Sequence, residues 1–137
     1  MPAPLSIIIP TLNSESELQE TLTSLFEGID KNLIRELIIS DGGSLDRTKI
    51  IANEVGAVFL EGTRGRGMQI KRGIEKSCGD WILVLHADTS LFMGWSEKIF
   101  PKIDKKFAYY FKLKFKSKSF LSNILEIWVN LRDRKST

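Results

Sequence analysis

Over its first two thirds the chain alternates short apolar runs with amphipathic ones. Leu5 to Pro10 is almost wholly apolar and rich in Ile, the pattern of a strand buried on both faces. Pro10 ends that run. Thr11-Leu12-Asn13-Ser14 reads as a turn, with Ser14 as a helix cap and Glu17 three residues on. The following helix carries Leu18, Leu22, Leu25 and Phe26 on one face and runs to about Glu27-Gly28. Leu33 to Ser40 is a second apolar strand, and Asp41-Gly42-Gly43-Ser44 is the turn after it. A helix with Ile50, Ile51 and Val55 inward ends at Gly56, and Ala57 to Leu60 makes a third strand. The glycine- and arginine-rich loop 61–67 leads into a helix over 67–78, closed by Gly79, and Trp81 to Leu85 is a fourth strand.

The remainder changes character. Trp95 to Phe100 predicts a short helix. Phe107 to Phe115 alternates, with Tyr109, Phe111, Leu113 and Phe115 on one face and Lys112, Lys114 and Lys116 on the other, so it predicts a strand. Phe120 to Leu131 predicts a helix, because Leu121, Ile124, Leu125, Trp128 and Leu131 are spaced for one apolar face. The β-α-β-α-β-α-β series with short joints predicts an α/β fold built on a doubly wound, mostly parallel sheet. A length of 137 residues and 42% hydrophobic content fit one domain with a real core. That core falls in residues 1–91, with a basic strand–helix extension at 92–137.

Charge is uneven. Residues 102–137 hold ten Lys/Arg against three Asp/Glu, whereas residues 1–101 hold ten against fourteen. A basic end suggests an anionic partner such as a membrane surface; a solvated face of a strand and helix explains it as well, and no nucleic-acid partner is expected. Cys78 is the single cysteine, so no internal disulfide forms, in agreement with a reducing cytosol. The start Met1-Pro2-Ala3-Pro4 lacks the basic region of a signal peptide, and no apolar run reaches a membrane span of about 18–20 residues. A cytoplasmic location is expected, and the basic end suggests peripheral docking at the inner membrane face.

Two apolar strands end in a carboxylate: Asp41 after Leu37-Ile38-Ile39-Ser40, and Asp88 after Trp81 to Leu85 and His86-Ala87. A carboxylate at the carboxyl end of a buried parallel strand lies where open α/β sheets place their ligands. An oxygen ligand there suits a hard divalent cation, and such a cation suits a diphosphate.

Four blocks, in order and at suitable spacing, resemble the family 2 glycosyltransferases, which have the glycosyltransferase-A fold: "SIIIPTLNSE" at 6–15, "LIISDGGSLDRT" at 37–48, "RGRGMQIKRG" at 64–73 and "GDWILVLHADTSL" at 79–91. The "LHADT" form is similar to one bacterial subgroup. The resemblance implies that Pro10, Thr11 and Asn13 contact the base and ribose of a nucleoside-diphosphate sugar, and that Asp41 lies near the base. It implies that Arg66, with Arg64 as a second candidate, meets the phosphates, and that Gln69 holds the loop or the ligand. His86-Ala87-Asp88 matches the family's Asp-x-Asp element. Asp88 is then the carboxylate that holds Mg²⁺ or Mn²⁺ against the diphosphate, and His86 replaces the first carboxylate, pointing to the ribose or packing locally. Ser44 and Asp46 read as capping residues.

The reaction implied is displacement at a sugar anomeric carbon, and in inverting members an Asp or Glu base in a later segment of the family deprotonates the acceptor hydroxyl. No such acidic motif occurs here: the acidic residues after Asp88 are Glu97, Asp104, Glu126 and Asp133, none in that context. The chain is therefore expected to be the donor-binding front of such an enzyme, truncated before the acceptor part, with little transfer of its own. Its acceptor is unknown, a lipid-linked one being compatible with the basic end. A homo-oligomer is expected through 107–131, where the last helix lacks a cover. Three rival readings compete with this one. A nucleotidyltransferase-like enzyme usually has its glycine-rich loop after the first strand, whereas "RGRGMQ" follows the third. A phosphoacceptor receiver wants an acidic pair at the end of the first strand, which "PTLNS" lacks. A catalytically empty binding or scaffold module remains compatible with the sequence.

Overall fold

The computed structural model describes residues 3–99, 109–112 and 124–129. In chain order the elements are β1 (Leu5–Thr11), α1 (Glu15–Thr23), α2 (Phe26–Asp30), β2 (Ile34–Asp41), α3 (Thr48–Glu54), β3 (Val58–Glu61), α4 (Arg66–Lys76), β4 (Trp81–Val84), α5 (Trp95–Ile99), β5 (Tyr109–Lys112) and β6 (Ile124–Val129). They build one six-stranded sheet in the order β3-β2-β1-β4-β6-β5. β3, β2, β1 and β4 run parallel, and β6 is antiparallel to both its neighbours.

The apolar run of the first strand explains its place. β1 sits between β2 and β4, and Leu5, Ile7, Ile8 and Ile9 are fully buried. Burial on both faces requires an unbroken apolar stretch rather than alternation, and each such side chain contributes about 2 kcal/mol of transfer free energy. On one face Ile7, Ile9, Ile39 and Leu83 pack with Leu18, Leu22, Leu25, Ile51 and Trp95. On the other, Ile8, Ile38, Ile82 and Val84 pack with Ile70 and Ile74 of α4. Helices on both faces make the sheet doubly wound, as the sequence predicts. α4 comes very close to the sheet: a Cβ on Gly73 would stand 2.7 Å from Ile8 Cγ2.

Four expectations are corrected. The helix expected from Ser14 to Gly28 breaks at Ser24-Leu25 into α1 and α2. The break frees the Ser24 carbonyl, which accepts from Trp95 Nε1 at 2.8 Å, and Phe26 ends up half exposed. The capping pair Ser14/Glu17 does not form; Glu15 N donates instead to Asp46 Oδ2 at 3.0 Å, and Arg47 N donates to Glu15 Oε1 at 3.2 Å. In α3 the inward line is Thr48, Ile51 and Ala52, so Ile50 and Val55 face out. Thr48 sets that phase, because its hydroxyl accepts from Ser14 N at 2.9 Å and donates to Asp46.

The fourth correction is the largest. Within the stretch Phe120–Leu131, expected to be helical, Ile124–Val129 is a strand. Its β-branched and aromatic residues suit a ladder, and a short apolar run cannot be assigned by period alone. It pairs with β4 from Trp81↔Val129 to Val84↔Glu126 and with β5 from Tyr109↔Ile127 to Lys112↔Ile124. The expected homo-oligomer through 107–131 loses the bare helix face on which it was based. The remainder of that stretch, and of the strand expected at 107–115, lies outside the described residues. Among the described residues no helix is long and apolar enough to cross a membrane.

Candidate functional site

The chain runs from β1 outward to β2 and β3, then returns to place β4 on the other side of β1. In open α/β sheets the crevice at such a reversal, beyond the carboxyl ends of the strands, receives ligands. All four parallel strands present those ends on one edge. Thr11 and Asp41 are paired there in register, and Leu85 N donates to Ile8 O at 2.9 Å as β4 runs on into His86-Ala87-Asp88. Asp41 and Asp88 therefore come to the same edge, on strands separated by β1, roughly 10 Å apart between strand axes.

The first two loops clamp each other. Asn13, in the left-handed region at φ 51°, donates its backbone N–H to Ser44 Oγ at 2.7 Å. Its Oδ1 accepts from Leu45 N at 2.7 Å. Asp41 is 1% exposed and is the hub of its own turn. Oδ1 accepts from Thr11 Oγ1 at 2.7 Å and Ser44 Oγ at 2.6 Å; Oδ2 accepts from Gly43 N at 2.9 Å and Ser44 N at 2.7 Å. Burial pushes this carboxyl up, but the hydrogen bonds from Ser44, Thr11 and Gly43 outweigh burial and hold it below its ordinary value. A carboxylate has about four acceptor positions, and here all four are in use.

Gln69 joins α4 to this edge from beneath. Its Nε2 donates to Thr11 O at 2.9 Å and Ser40 O at 2.8 Å, and its Oε1 accepts from Gly65 N at 3.0 Å. Of its two readings, holding the loop is the one its bonds describe, and at 4% exposure it has little surface to offer a ligand. Gly42 must be glycine for this brace: a Cβ there would stand 2.8 Å from Gln69 Oε1 and 3.2 Å from Arg64 Cα.

α4 follows β3 and precedes the parallel β4, so its N-terminus, the positive end of its dipole, lies at the same edge. Arg66 opens it and is exposed, as is Arg64. Arg66 Nη2 lies 2.9 Å from His86 Nε2. That contact ties the arginine loop to the end of β4. The Ala87 carbonyl accepts from Thr21 Oγ1 at 2.6 Å, and Thr89 N donates to His86 O at 3.1 Å, so the His-Ala-Asp turn is anchored to α1. Asp88 is exposed, with Thr89 Oγ1 at 3.5 Å from its Oδ1.

Among the described residues no three His, Cys, Asp or Glu side chains gather as a metal cage. His86 Nε2 is engaged with Arg66. Asp88 can supply one hard oxygen, which fits a divalent cation whose other ligands are diphosphate oxygens and water.

Thr21 carried no sequence signal for its bond to the Ala87 carbonyl. Nor did Glu27, which accepts from Gly94 N at 2.7 Å and from Ser96 N at 3.0 Å, and so fixes the segment after Asp88. Next to that segment an open hollow of about 360 Å³ is lined by Glu20, Thr23, Ser24, Glu27, Ser90, Leu91 and Met93. None of the residues predicted to contact a nucleotide lines it.

Comparisons with known proteins agree with this arrangement. Residues 6–130 match the family described as Glycosyl transferase family 2. A PGL/p-HBAD biosynthesis glycosyltransferase of Mycobacterium tuberculosis is 37% identical over 100 residues, which are 67% of this chain and 38% of that protein. Among solved structures, glucosyl-3-phosphoglycerate synthase of Mycobacterium tuberculosis, in complex with Mn²⁺, uridine diphosphate and phosphoglyceric acid, superposes with a TM-score of 0.63 and 26% identity, over 76% of this chain and 40% of that one. Residues 1–349 of S. aureus TarS share the fold at a TM-score of 0.74 and 20% identity, over 96% of this chain and 49% of that one. The chain spans well under half the length of the curated relatives it matches. The ordered blocks, the strand order with its reversal beside β1, and a family match over 6–130 lead to one conclusion: this chain belongs to glycosyl transferase family 2.

Proposed function

We propose that this chain binds the donor of a glycosyltransferase, a nucleoside-diphosphate sugar, at the carboxyl edge beside β1 and β4. One observation carries the reading. The first loop, the Asp41 turn, the Arg66–His86 pair and Asp88 come from four separate stretches of sequence and meet at the edge where the strand order reverses. Pro10 and Asn13 frame the base and ribose, with Thr11 and Asp41 shaping the crevice below them. Arg66 meets the diphosphate, helped by Arg64 and the N-terminus of α4. Asp88 holds Mg²⁺ or Mn²⁺; the mycobacterial relative's complex with Mn²⁺ and uridine diphosphate supports that choice. A bound cation would neutralise charge on the departing diphosphate.

Among the described residues no carboxylate after Asp88 is proposed as a base for the acceptor. Of the acidic residues after Asp88, Glu97 is ion-paired at 3.2 Å with Lys31, which precedes β2 and so lies toward the opposite edge. Glu126 stands opposite Val84 in the ladder, and Asp104 and Asp133 lie outside the described residues. Calorimetric titration with UDP and GDP, in Mn²⁺ and in EDTA, tests the proposal. One of the two binds, more tightly with Mn²⁺, and Asp88→Asn removes the gain from metal. If neither nucleotide binds in Mn²⁺, the proposal fails.

A further inference from the structure

We propose that His86 is a positioning residue: it holds Arg66 as a fixed, uncompensated cation for the diphosphate and so lowers the dependence of nucleotide binding on divalent metal. This rests on the donor-binding reading above and deepens it. A guanidinium only donates, so in the 2.9 Å contact His86 Nε2 is the acceptor. Arg66 is thereby oriented without losing its charge. Its other N–H groups stay available for phosphate oxygens.

Among the described residues no carboxylate is paired with Arg66. Ion pairs among the described residues join Lys31 to Glu97 and Lys49 to Glu61, and none involves Arg64 or Arg66. Asp41 is spent on its own turn, with all four bonds coming from Thr11, Gly43 and Ser44. The imidazole itself is held on a fixed turn, since Thr21 grips the Ala87 carbonyl and Thr89 N closes on His86 O. A carboxylate at position 86 would sit within ion-pair reach of Arg66 and cancel its charge. It would also raise the negative charge beside Asp88, and a diphosphate would then need a cation before it could approach. With histidine there, arginine supplies a permanent positive charge and leaves Asp88 as the one carboxylate of the His-Ala-Asp turn.

The test is titration of UDP and GDP into wild type, His86→Ala, His86→Asn and His86→Asp, each in EDTA and in Mn²⁺, with thermal melting to confirm that each variant folds. Wild type is expected to retain measurable binding in EDTA. His86→Ala lowers that metal-free affinity about tenfold, the weight of one charge-assisted hydrogen bond, and lowers the Mn²⁺ affinity much less. His86→Asn keeps an acceptor and restores most of the loss. His86→Asp abolishes metal-free binding but binds with Mn²⁺. The proposal is overturned if wild type binds only with metal, if His86→Ala equals wild type in EDTA, or if it weakens both conditions alike. Failure of both nucleotides to bind wild type in Mn²⁺ overturns the donor-binding reading itself, and this proposal with it; binding in Mn²⁺ with a flat His86 series overturns this proposal alone.

Discussion

Asp41 separates two roles that look the same in a sequence. If its carboxylate is chiefly the keystone of its turn, removing it should cost stability first. Asp41→Ala strips the acceptor from four donors. The Thr11 and Ser44 hydroxyls can rotate to other partners; the Gly43 and Ser44 N–H groups are fixed by the backbone. An unsatisfied N–H costs about 1–3 kcal/mol when buried. Gly43 is exposed, so water can satisfy part of the deficit, and a total of about 2–4 kcal/mol is expected. Asp41→Asn can turn its oxygen to the two N–H groups and its amide to the two hydroxyls, and should cost about 1 kcal/mol. Against a typical total of about 5–15 kcal/mol, the alanine loss is readily measured. Urea denaturation followed by the fluorescence of Trp81 and Trp95, both buried, gives the values. The sign with pH follows from the lowered folded pKa. The ionised carboxylate contributes fully above the ordinary value of 3.8, and its contribution is lost as pH falls through the lower folded value. Asp41→Asn should therefore flatten the acid limb of the stability curve. The reasoning is refuted if Asp41→Ala stays within about 0.5 kcal/mol of wild type while nucleotide binding vanishes, because Asp41 would then act on the ligand and not on the turn.

Two further substitutions probe the supports of the site. Gly73→Ala places a Cβ 2.7 Å from Ile8 Cγ2 and 3.3 Å from its Cγ1, so α4 must lift or Ile8 must move. Overpacking of about 1–3 kcal/mol exceeds the gain of about 1 kcal/mol in helix propensity; a lower melting temperature, partly restored by adding Ile8→Val, is expected. Glu27→Ala removes the acceptor for Gly94 N, Ser96 N and Ser96 Oγ and should cost about 2 kcal/mol by denaturation at pH 7. Burial raises the Glu27 carboxyl, yet Ser96, Gly94 and Lys31 bring it below its ordinary value of 4.5. The penalty should therefore shrink as pH falls from above 4.5 through the lower folded value.

Much of the fold was legible because a buried parallel sheet writes itself as separated apolar runs. Leu5 to Pro10, Leu33 to Ser40 and Trp81 to Leu85 each fall on a strand to within about two residues. What could not be read depends on partners distant in sequence. Ile50 and Ile51 are equally apolar, and the phase of α3 is decided by Thr48 meeting Ser14 and Asp46. Ser14 has the look of a cap, but Asp46, more than thirty residues away, meets the Glu15 N–H. Ile124 to Val129 fits helical and strand spacing alike, and the ladder beside β4 decides. At the candidate site, the carboxylates and the arginine were legible from their blocks. The Thr21 brace and the Glu27 clamp were not, since single bonds to distant backbone groups leave no periodicity behind.

Burial divides the predicted contact residues into two groups with different tasks. Thr11, Asp41 and Gln69 are at most 4% exposed, and each spends its polar atoms on neighbouring loops. Asn13, Arg66 and Asp88 are exposed at the same edge, and Pro10, His86 and Ala87 lie between these extremes. A ligand arriving from solvent meets the second group first. The first group fixes where those residues stand, because Gln69 alone ties α4 to the ends of both β1 and β2. Substitutions in the buried group should therefore lower stability and binding together, whereas Asp88→Asn and the His86 series should lower binding in a folded chain. That contrast is a physical consequence of building a charged site on the rim of an apolar sheet. The buried edge holds the braces, Asp41 with its four donors among them, and the rim carries the groups they aim.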